Sequence, residues 1–342
     1  MFKSNKSKRL KSLVTCTIGI VALMAYCLVL LSPTIHKSVL GTKSVTAIDS
    51  STSDIKESKK ANLIAENKRR EDLDKQVKLE NEIKAKAKAE IIENQKKLEE
   101  ASQLKLQVIT GKIKEYLGDD YSDVSIDYLD LTTGKTLQIN NKIVWHTAST
   151  IKVPVVMIIL DMISEGSLKE TDTMRYDADS DYESGTGNLQ NMDKSQPFDM
   201  MMLCEYAIRY SDNIALNMLT RKIGYNSIVP KLNSILSIQW GSKPNQASAE
   251  MMTKVLDHLY LGSNPYYAKE IAWLKQTIFH DRLDKYIPSE LVAHKVGEYA
   301  TYVHDVGIIY ADKPYILSVF SNNLDNPEES IAQISKIIYE NR

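Results

Sequence analysis

Residues 146–154 read HTASTIKVP, and the apolar run VVMIILDMI follows them at 155–163. Ser149 and Lys152 are three residues apart, so a helix would bring the hydroxyl and the amine to the same face. An amine in apolar surroundings loses basicity and can accept a proton from a neighbouring hydroxyl. The stretch therefore predicts a serine nucleophile with a lysine as its base.

The pattern S-x-x-K occurs three times, beginning at Ser53, Ser102 and Ser149. The first two copies lie in highly charged stretches, where the pair is typical of a solvated helix face, so the pattern alone does not indicate catalysis. Two further motifs distinguish the third copy. They are SDN at 211–213, inside a helical pattern, and KVG at 295–297, on a predicted strand.

In this order the three elements match the motif set S-x-x-K, S-D-N, K-[ST]-G of serine β-lactamases and penicillin-binding proteins. Residues 105–342 resemble the catalytic domain of the class A β-lactamase-related serine hydrolases, within the penicillin-recognising superfamily. The stretches ESGTGNLQ (183–190) and HDVGIIY (304–310) are also similar to that family. The resemblance implies a β-lactamase/transpeptidase-like fold, with the active site in a cleft between a helical subdomain and a sheet subdomain.

The resemblance implies catalytic roles for three residues. Ser149 is expected to be the acylated nucleophile, and Lys152 is expected to be its base. Ser211 is expected to relay a proton to the leaving nitrogen. Opening an amide requires these functions, namely a nucleophile, a proton acceptor and a proton donor on the nitrogen side.

The resemblance also implies a substrate-binding set. Asn213 is expected to position the lysine base and the substrate amide, and Lys295 is expected to add positive charge near the substrate carboxylate. Gly297 would let the substrate backbone lie close to the strand. The backbone N–H groups of the nucleophile and of Glu298 would form the oxyanion hole, aimed at charge that develops in the transition state.

The sequence departs from the family pattern at two points. Val296 stands where Thr or Ser is usual, so one hydroxyl for the substrate carboxylate is missing. The E-x-x-L-N glutamate that activates the deacylating water in class A enzymes is absent as well. The glutamates between the second and third motifs are Glu250, Glu270 and Glu290. Glu250 is predicted to lie in the first turn of a helix, where a carboxylate is favourable, so slow deacylation is expected.

The N-terminus predicts a membrane anchor. Residues 13–31 contain no charged residue and, at about 1.5 Å per residue, would span roughly 28 Å as a helix. Five basic residues lie within 1–12, which predicts a cytoplasmic tail. The alternative is a signal peptide cleaved after 45–47, VTA. Either way the domain is expected outside the cytoplasm, and the uncleaved anchor predicts a single-pass protein of the cell membrane.

Residues 32–102 are predicted to form a linker and a charged helical stalk, because Lys, Glu, Ala and Leu dominate the region from 55 onward. Polar residues interrupt its seven-residue apolar grid, so a strict coiled-coil seam is not expected. A long solvated helix with weak self-association is the prediction.

Residues 103–342 predict an α+β domain. The patterns indicate a helix, a hairpin, a helical block, three strands and a closing helix that begins at Pro327 with Asn326 as its cap. The first and last strands are expected to share one antiparallel sheet, flanked by the N- and C-terminal helices.

Composition excludes several classes of function. The net charge is −1 with both signs evenly mixed, so no nucleic acid partner is expected. Outside the apolar segment the chain has Cys204 alone, so no intrachain disulfide is expected there. No metal-ligand cluster, phosphate loop or cofactor is predicted, and His146 and His304 are expected to be structural.

The predicted function is that of an extracytoplasmic, membrane-anchored serine hydrolase. It would form an acyl-enzyme with a β-lactam or a peptidoglycan-like peptide. The alternative is a non-catalytic domain that binds cell-wall peptides or signals.

Overall fold

The computed structural model describes residues 52–342, with side chains from residue 56 onward. The predicted tail and anchor, residues 1–12 and 13–31, lie outside this range. The chain divides into two units, Met1–Ala85 and Lys86–Arg342. Within the described range, none of the helices combines the length and the apolar character that crossing a bilayer requires.

The helices are α1 (Thr52–Leu117), α2 (Lys152–Ser164), α3 (Ala178–Asp181), α4 (Met200–Arg209), α5 (Asn213–Ile223), α6 (Tyr225–Leu236), α7 (Ala249–Leu261), α8 (Tyr267–Lys275) and α9 (Pro327–Asn341). The strands are β1 (Val124–Asp130), β2 (Thr136–Ile139), β3 (Trp145–His146), β4 (Thr173–Met174), β5 (Phe198–Asp199), β6 (Gln246–Ala247), β7 (Val292–Tyr299), β8 (Tyr302–Ile309) and β9 (Tyr315–Asn322). Short 3₁₀ turns occur at Gly118–Asp123, Ala148–Ile151, Leu189–Asn191 and Ser289–Leu291.

Helix α1 is solvated along most of its length and buried near its end. The side chains of residues 56–101 are all exposed, as expected for a sequence of helix-forming charged residues. The composition changes at residue 103, but the helix continues through it. From Leu106 onward a stripe with Ile109, Ile113 and Leu117 is buried, at the three- to four-residue spacing of one helix face.

The sheet has the order β2-β1-β9-β8-β7, and every neighbouring pair is antiparallel. The predicted hairpin, the three later strands and the shared antiparallel sheet are therefore confirmed. Alternate residues of β9 face opposite sides. Leu317 and Val319 pack in a core with α1 and α9, whereas Ile316 and Phe320 pack in the core of the helical block.

The helical block is centred on α2, whose residues 152–160 are all buried. A helix that is apolar on every side belongs in a core, and this one carries the nucleophile turn at its N-terminal end. At α9, Asn326 occupies the cap position without a side-chain capping bond, and Pro327 begins the helix. The predicted α+β architecture is confirmed in residues 103–342.

Candidate active site

The nucleophile lies in a tight turn between strand β3 and helix α2. Ser149 is half-buried in the 3₁₀ turn Ala148–Ile151, and α2 begins at Lys152. Ala148 has a φ of 47°, in the left-handed region that residues with a Cβ rarely adopt. Such backbone costs about 1–3 kcal/mol and persists where surrounding structure enforces it.

Lys152 joins the first two motifs. Its amine donates to Ser149 Oγ at 2.7 Å, to Asn213 Oδ1 at 2.9 Å and to Ser211 Oγ at 3.3 Å. The hydroxyl and amine therefore meet as the S-x-x-K spacing predicts. Their catalytic roles remain a prediction.

The buried position of Lys152 changes its basicity. Burial lowers the pKa of Lys152 to about 8, although the carboxylates of Glu183 and Asp212 act in the opposite direction. An amine with this pKa is partly neutral near neutral pH. It can therefore accept a proton from Ser149, which an ordinary lysine would rarely do.

The second motif differs in conformation from the prediction. It was expected inside a helix, but α4 ends at Arg209 and Ser211 has a φ of 52°, in the left-handed region. Asp212 then caps α5, since its Oδ1 accepts from Ala215 N at 2.9 Å, while Oδ2 accepts from Leu189 N at 2.8 Å. The break between the two helices turns Ser211 toward the lysines.

Lys295 approaches the same hydroxyl from strand β7. It is fully buried, and its amine donates to Ser211 Oγ at 2.9 Å and to Val296 O at 3.0 Å. Burial, followed by the neighbouring Lys152 charge, holds the pKa of Lys295 well below its usual range. Two amines thus converge on Ser211, so the three motifs meet at one place.

Packing explains why residue 297 is a glycine, a role that was not predicted from the sequence. A Cβ at this position would lie 3.0 Å from Thr147 O and 3.0 Å from Thr150 Cγ2. The glycine therefore lets β7 pack against the nucleophile turn, and close approach of the substrate backbone stays a prediction. Glu298, the expected oxyanion-hole residue, lines the cleft and its side chain accepts from Arg282 Nη2 at 3.1 Å.

Both histidines that were expected to be structural, His146 and His304, have hydrogen-bond partners in the fold. His304 Nε2 donates to His146 O at 2.7 Å, and burial lowers the pKa of His304 to about 4. His146 Nδ1 accepts from Ala148 N at 3.1 Å, and its Nε2 contacts the Asn245 amide at 3.0 Å. These contacts tie β3 to the sheet and to the nucleophile turn, in keeping with structural roles.

The site opens into a cleft of about 370 Å³. Its lining includes Ser149, Lys152, Asn213 and Glu298, together with the carboxylate of Glu183. Asn217 Nδ2, also in the lining, donates to Glu183 Oε2 at 3.0 Å. Glu183 was not predicted from the sequence as a site residue. The sequence feature that could have indicated a role for Glu183 is the family-like stretch ESGTGNLQ, which begins at this residue.

The glutamates between the second and third motifs lie away from this cleft. Glu250 is in the first turn of α7, as predicted, and forms an ion pair with Lys254. Glu270 is buried in α8, and burial raises its pKa well above the usual range. Glu290 lies in the 3₁₀ turn that precedes β7. None of the three is in the cleft lining of the described chain.

The chain is similar in sequence to known proteins. A sequence model of the β-lactamase enzyme family matches residues 105–341. β-Lactamase BRO-1 of Moraxella catarrhalis is 26% identical over 231 residues, which cover 59% of this chain and 71% of that protein.

Two solved structures illustrate the likeness in fold. PBP-A has a TM-score of 0.62 and 19% identity, over 68% of this chain and 94% of its own. The TLA-3 extended-spectrum β-lactamase has a TM-score of 0.63 and 19% identity, over 68% of this chain and 98% of its own. At such identities these two likenesses show the fold, which is a β-lactamase-like α+β fold.

Proposed function

This chain belongs to the β-lactamase enzyme family of serine hydrolases, and we propose that its Ser149 forms an acyl-enzyme with β-lactams or with peptidoglycan-like peptides. One observation carries the proposal. Lys152 is 1% exposed, and its amine has a pKa of about 8 and lies 2.7 Å from Ser149 Oγ. A hydroxyl beside such a base is an activated nucleophile.

Acylation follows from these contacts. Neutral Lys152 accepts the Ser149 proton as Oγ attacks the substrate carbonyl, and the backbone N–H groups of Ser149 and Glu298 receive the oxyanion. The C–N bond then breaks, and Ser211 donates its proton to the leaving nitrogen. Lys152, which now carries the Ser149 proton, contacts Ser211 Oγ and can return a proton to it, while Lys295 contacts the same oxygen.

Deacylation is proposed to be slow. Hydrolysis of the ester needs a base that activates water, and the glutamates between the second and third motifs lie away from the cleft. Glu183 does line the cleft, but its carboxylate accepts a hydrogen bond from Asn217 and raises the pKa of Lys152. We assign Glu183 to Lys152 as its electrostatic partner. A mutant of PBP-A, which has a similar fold, has been solved as an acyl-enzyme complex with penicillin G.

The location is also a proposal. The apolar segment 13–31 and the basic residues before it support a single-pass anchor with the hydrolase domain outside the cytoplasm. The exposed side chains of residues 56–101 support a solvated stalk. Mass spectrometry of the mature N-terminus tests this, because retention of Met1–Leu31 is expected. A mature terminus near Ile48 would contradict the anchor.

The proposed activity is tested on the full chain with a fluorescent penicillin and, separately, with a peptide ending in D-alanyl-D-alanine. We expect rapid stoichiometric labelling by penicillin and release that is slower by orders of magnitude. Fast multiple turnover would contradict slow deacylation. A folded chain that binds the peptide without labelling or hydrolysis would favour the non-catalytic alternative.

A further inference from the structure

A second cluster of chemically competent side chains lies beside strand β7. His280, Asp284 and His294 each offer one ligand atom, and these atoms all lie within 4.8 Å of one another. His294 immediately precedes Lys295, and successive side chains of a strand point to opposite faces. The cluster therefore lies across the strand from the catalytic groups and takes no part in the proposed mechanism.

The interior of this cluster contains polar atoms without hydrogen-bond partners. His294 is fully buried and Asp284 is 4% exposed. Within the described chain, His294 Nε2 and Asp284 Oδ1 have no hydrogen-bond partner. A buried polar atom left in this state is costly and uncommon in native proteins. Each atom can act as a ligand to a metal ion through a lone pair.

The spacing of the atoms suits an ion between them. His294 Nε2 is 3.4 Å from Asp284 Oδ2, without forming a hydrogen bond. Two ligands of a tetrahedral zinc ion, each about 2.0–2.1 Å from the metal, lie about 3.3–3.4 Å apart. His280 Nδ1 is 2.5 Å from the same oxygen and must move outward to bind. Its side chain is 53% exposed, so the ring has room to turn.

A second carboxylate orients the buried imidazole. His294 Nδ1 is 2.8 Å from Asp305 Oδ2, and that oxygen also accepts from Leu283 N at 3.0 Å. A metal-binding histidine almost always donates its other ring N–H to such a carboxylate, which leaves the free nitrogen aimed at the metal. Asp305 thus holds Nε2 of His294 toward Asp284.

We propose that His280, Asp284 and His294 bind one Zn²⁺ ion, with Asp305 as the positioning residue for His294. Two imidazoles and one carboxylate form a donor set typical of zinc, and the exposed side of His280 leaves the fourth position to water. Magnesium and calcium prefer all-oxygen sites. The ion would tie the segment that contains His280 and Asp284 to β7, and so stabilise the strand that carries Lys295.

A proton is the competing occupant. His294 protonated on both nitrogens would be an imidazolium between Asp284 and Asp305, and the cluster would then be an ion-pair network. In that case added zinc would leave the protein unchanged. Because the two occupants differ in metal content, binding measurements separate them without reference to activity.

The test uses the full chain, stripped with a chelator and titrated with ZnCl₂ or MgCl₂. Calorimetry, metal content after gel filtration and thermal unfolding are followed together. We expect one Zn²⁺ per chain and a higher Tm with zinc, since a ligand that binds the folded state stabilises it. Magnesium is expected to have no effect.

Substitutions locate the ion. His280→Gln changes an exposed residue, so the fold should persist, and zinc affinity should fall by about 100-fold; Asp305→Asn should lower it by about 10–100-fold. His258→Gln is the matched control, because His258 lies in α7 and pairs with Tyr267. No zinc binding, or equal binding in the wild type and His280→Gln, would overturn the proposal.

Discussion

Two copies of the S-x-x-K pattern, SQLK at 102–105 and STIK at 149–152, lie in helical segments that differ in burial. In SQLK, which follows the exposed part of α1, Ser102 is half-buried and Lys105 is exposed, with its amine donating to the Arg342 carbonyl. In STIK, the serine is half-buried too, but Lys152 is 1% exposed and donates to three side-chain oxygens. The spacing is identical in the two copies. The burial of the lysine amine, rather than the spacing, therefore makes it a base.

The two copies also differ in backbone. The turn that carries Ser149 contains Ala148 in the left-handed region, whereas Ser102 lies within the regular helix α1. A strained turn is maintained only where packing supports it. Here the packing comes from β7, through Gly297, whose missing side chain leaves room for Thr147 and Thr150.

The largest expected effect comes from removing the amine of Lys152, and the equivalent change at Lys105 is the control. Lys152→Ala should lower the rate of penicillin labelling by roughly 10²–10⁴, the usual contribution of a general base. Lys105→Ala should leave the rate unchanged. Labelling kinetics on both full-length variants measure this, and a circular dichroism melt checks that they fold. Equal rates in the two variants would break the comparison.

A tenfold effect is expected from restoring the third motif. Val296 follows Lys295 in β7 and is buried, and Val296→Thr places a hydroxyl at the sequence position that the family uses for the substrate carboxylate. A hydrogen bond to a charged group contributes about 1.5–3 kcal/mol, so labelling at limiting penicillin should become about tenfold faster. Val303→Thr, on β8, is the matched control and should give no gain. A gain in both variants would show that the effect is not specific to the site.

A smaller effect is expected in the pH profile of Glu183→Gln. The Glu183 carboxylate raises the pKa of Lys152 against the effect of burial, and together they leave it at about 8. Labelling requires the neutral amine, so its rate should rise with pH through about 8 in the wild type. Glutamine removes the negative charge, lowers the pKa of Lys152 and should move this rise to lower pH.

The control for this profile is Glu250→Gln, which changes a carboxylate outside the cleft lining. Its profile should match that of the wild type. If the labelling rate of Glu183→Gln rises at the same pH as that of the wild type, the electrostatic link between Glu183 and Lys152 is contradicted.

The smallest expected effect concerns release of the adduct. Glu250 lies in the first turn of α7 and pairs with Lys254, so Glu250→Gln should leave the release rate unchanged. The decay of fluorescent label after removal of free penicillin measures it. A release that is fast in the wild type and collapses in Glu250→Gln would make Glu250 the deacylating base.

The sequence predicted those features that depend on local patterns. Alternating apolar residues predicted β1 and β2, and strand-like stretches predicted β7, β8 and β9. The family resemblance implied that Ser149, Lys152, Ser211 and Lys295 meet. The sequence did not predict the left-handed backbone of Ser211, because one residue between two helical patterns leaves no periodic signal.

Contacts between distant segments were also beyond prediction from the sequence. Glu183 reaches the cleft only because its loop packs beside α5, where Asn217 holds it. The cluster of His280, Asp284 and His294 forms only when β7 lies beside the preceding segment. Such features depend on tertiary packing rather than on residue spacing.

The most direct test maps the penicillin adduct on the full chain by peptide mass spectrometry. We expect one adduct, on the peptide that contains Ser149, and none on the peptide that contains Ser102. Ser149→Ala should abolish labelling, while Ser102→Ala should label at the wild-type rate. An adduct on another residue, or undiminished labelling of Ser149→Ala, would contradict the assignment of Ser149 as the nucleophile.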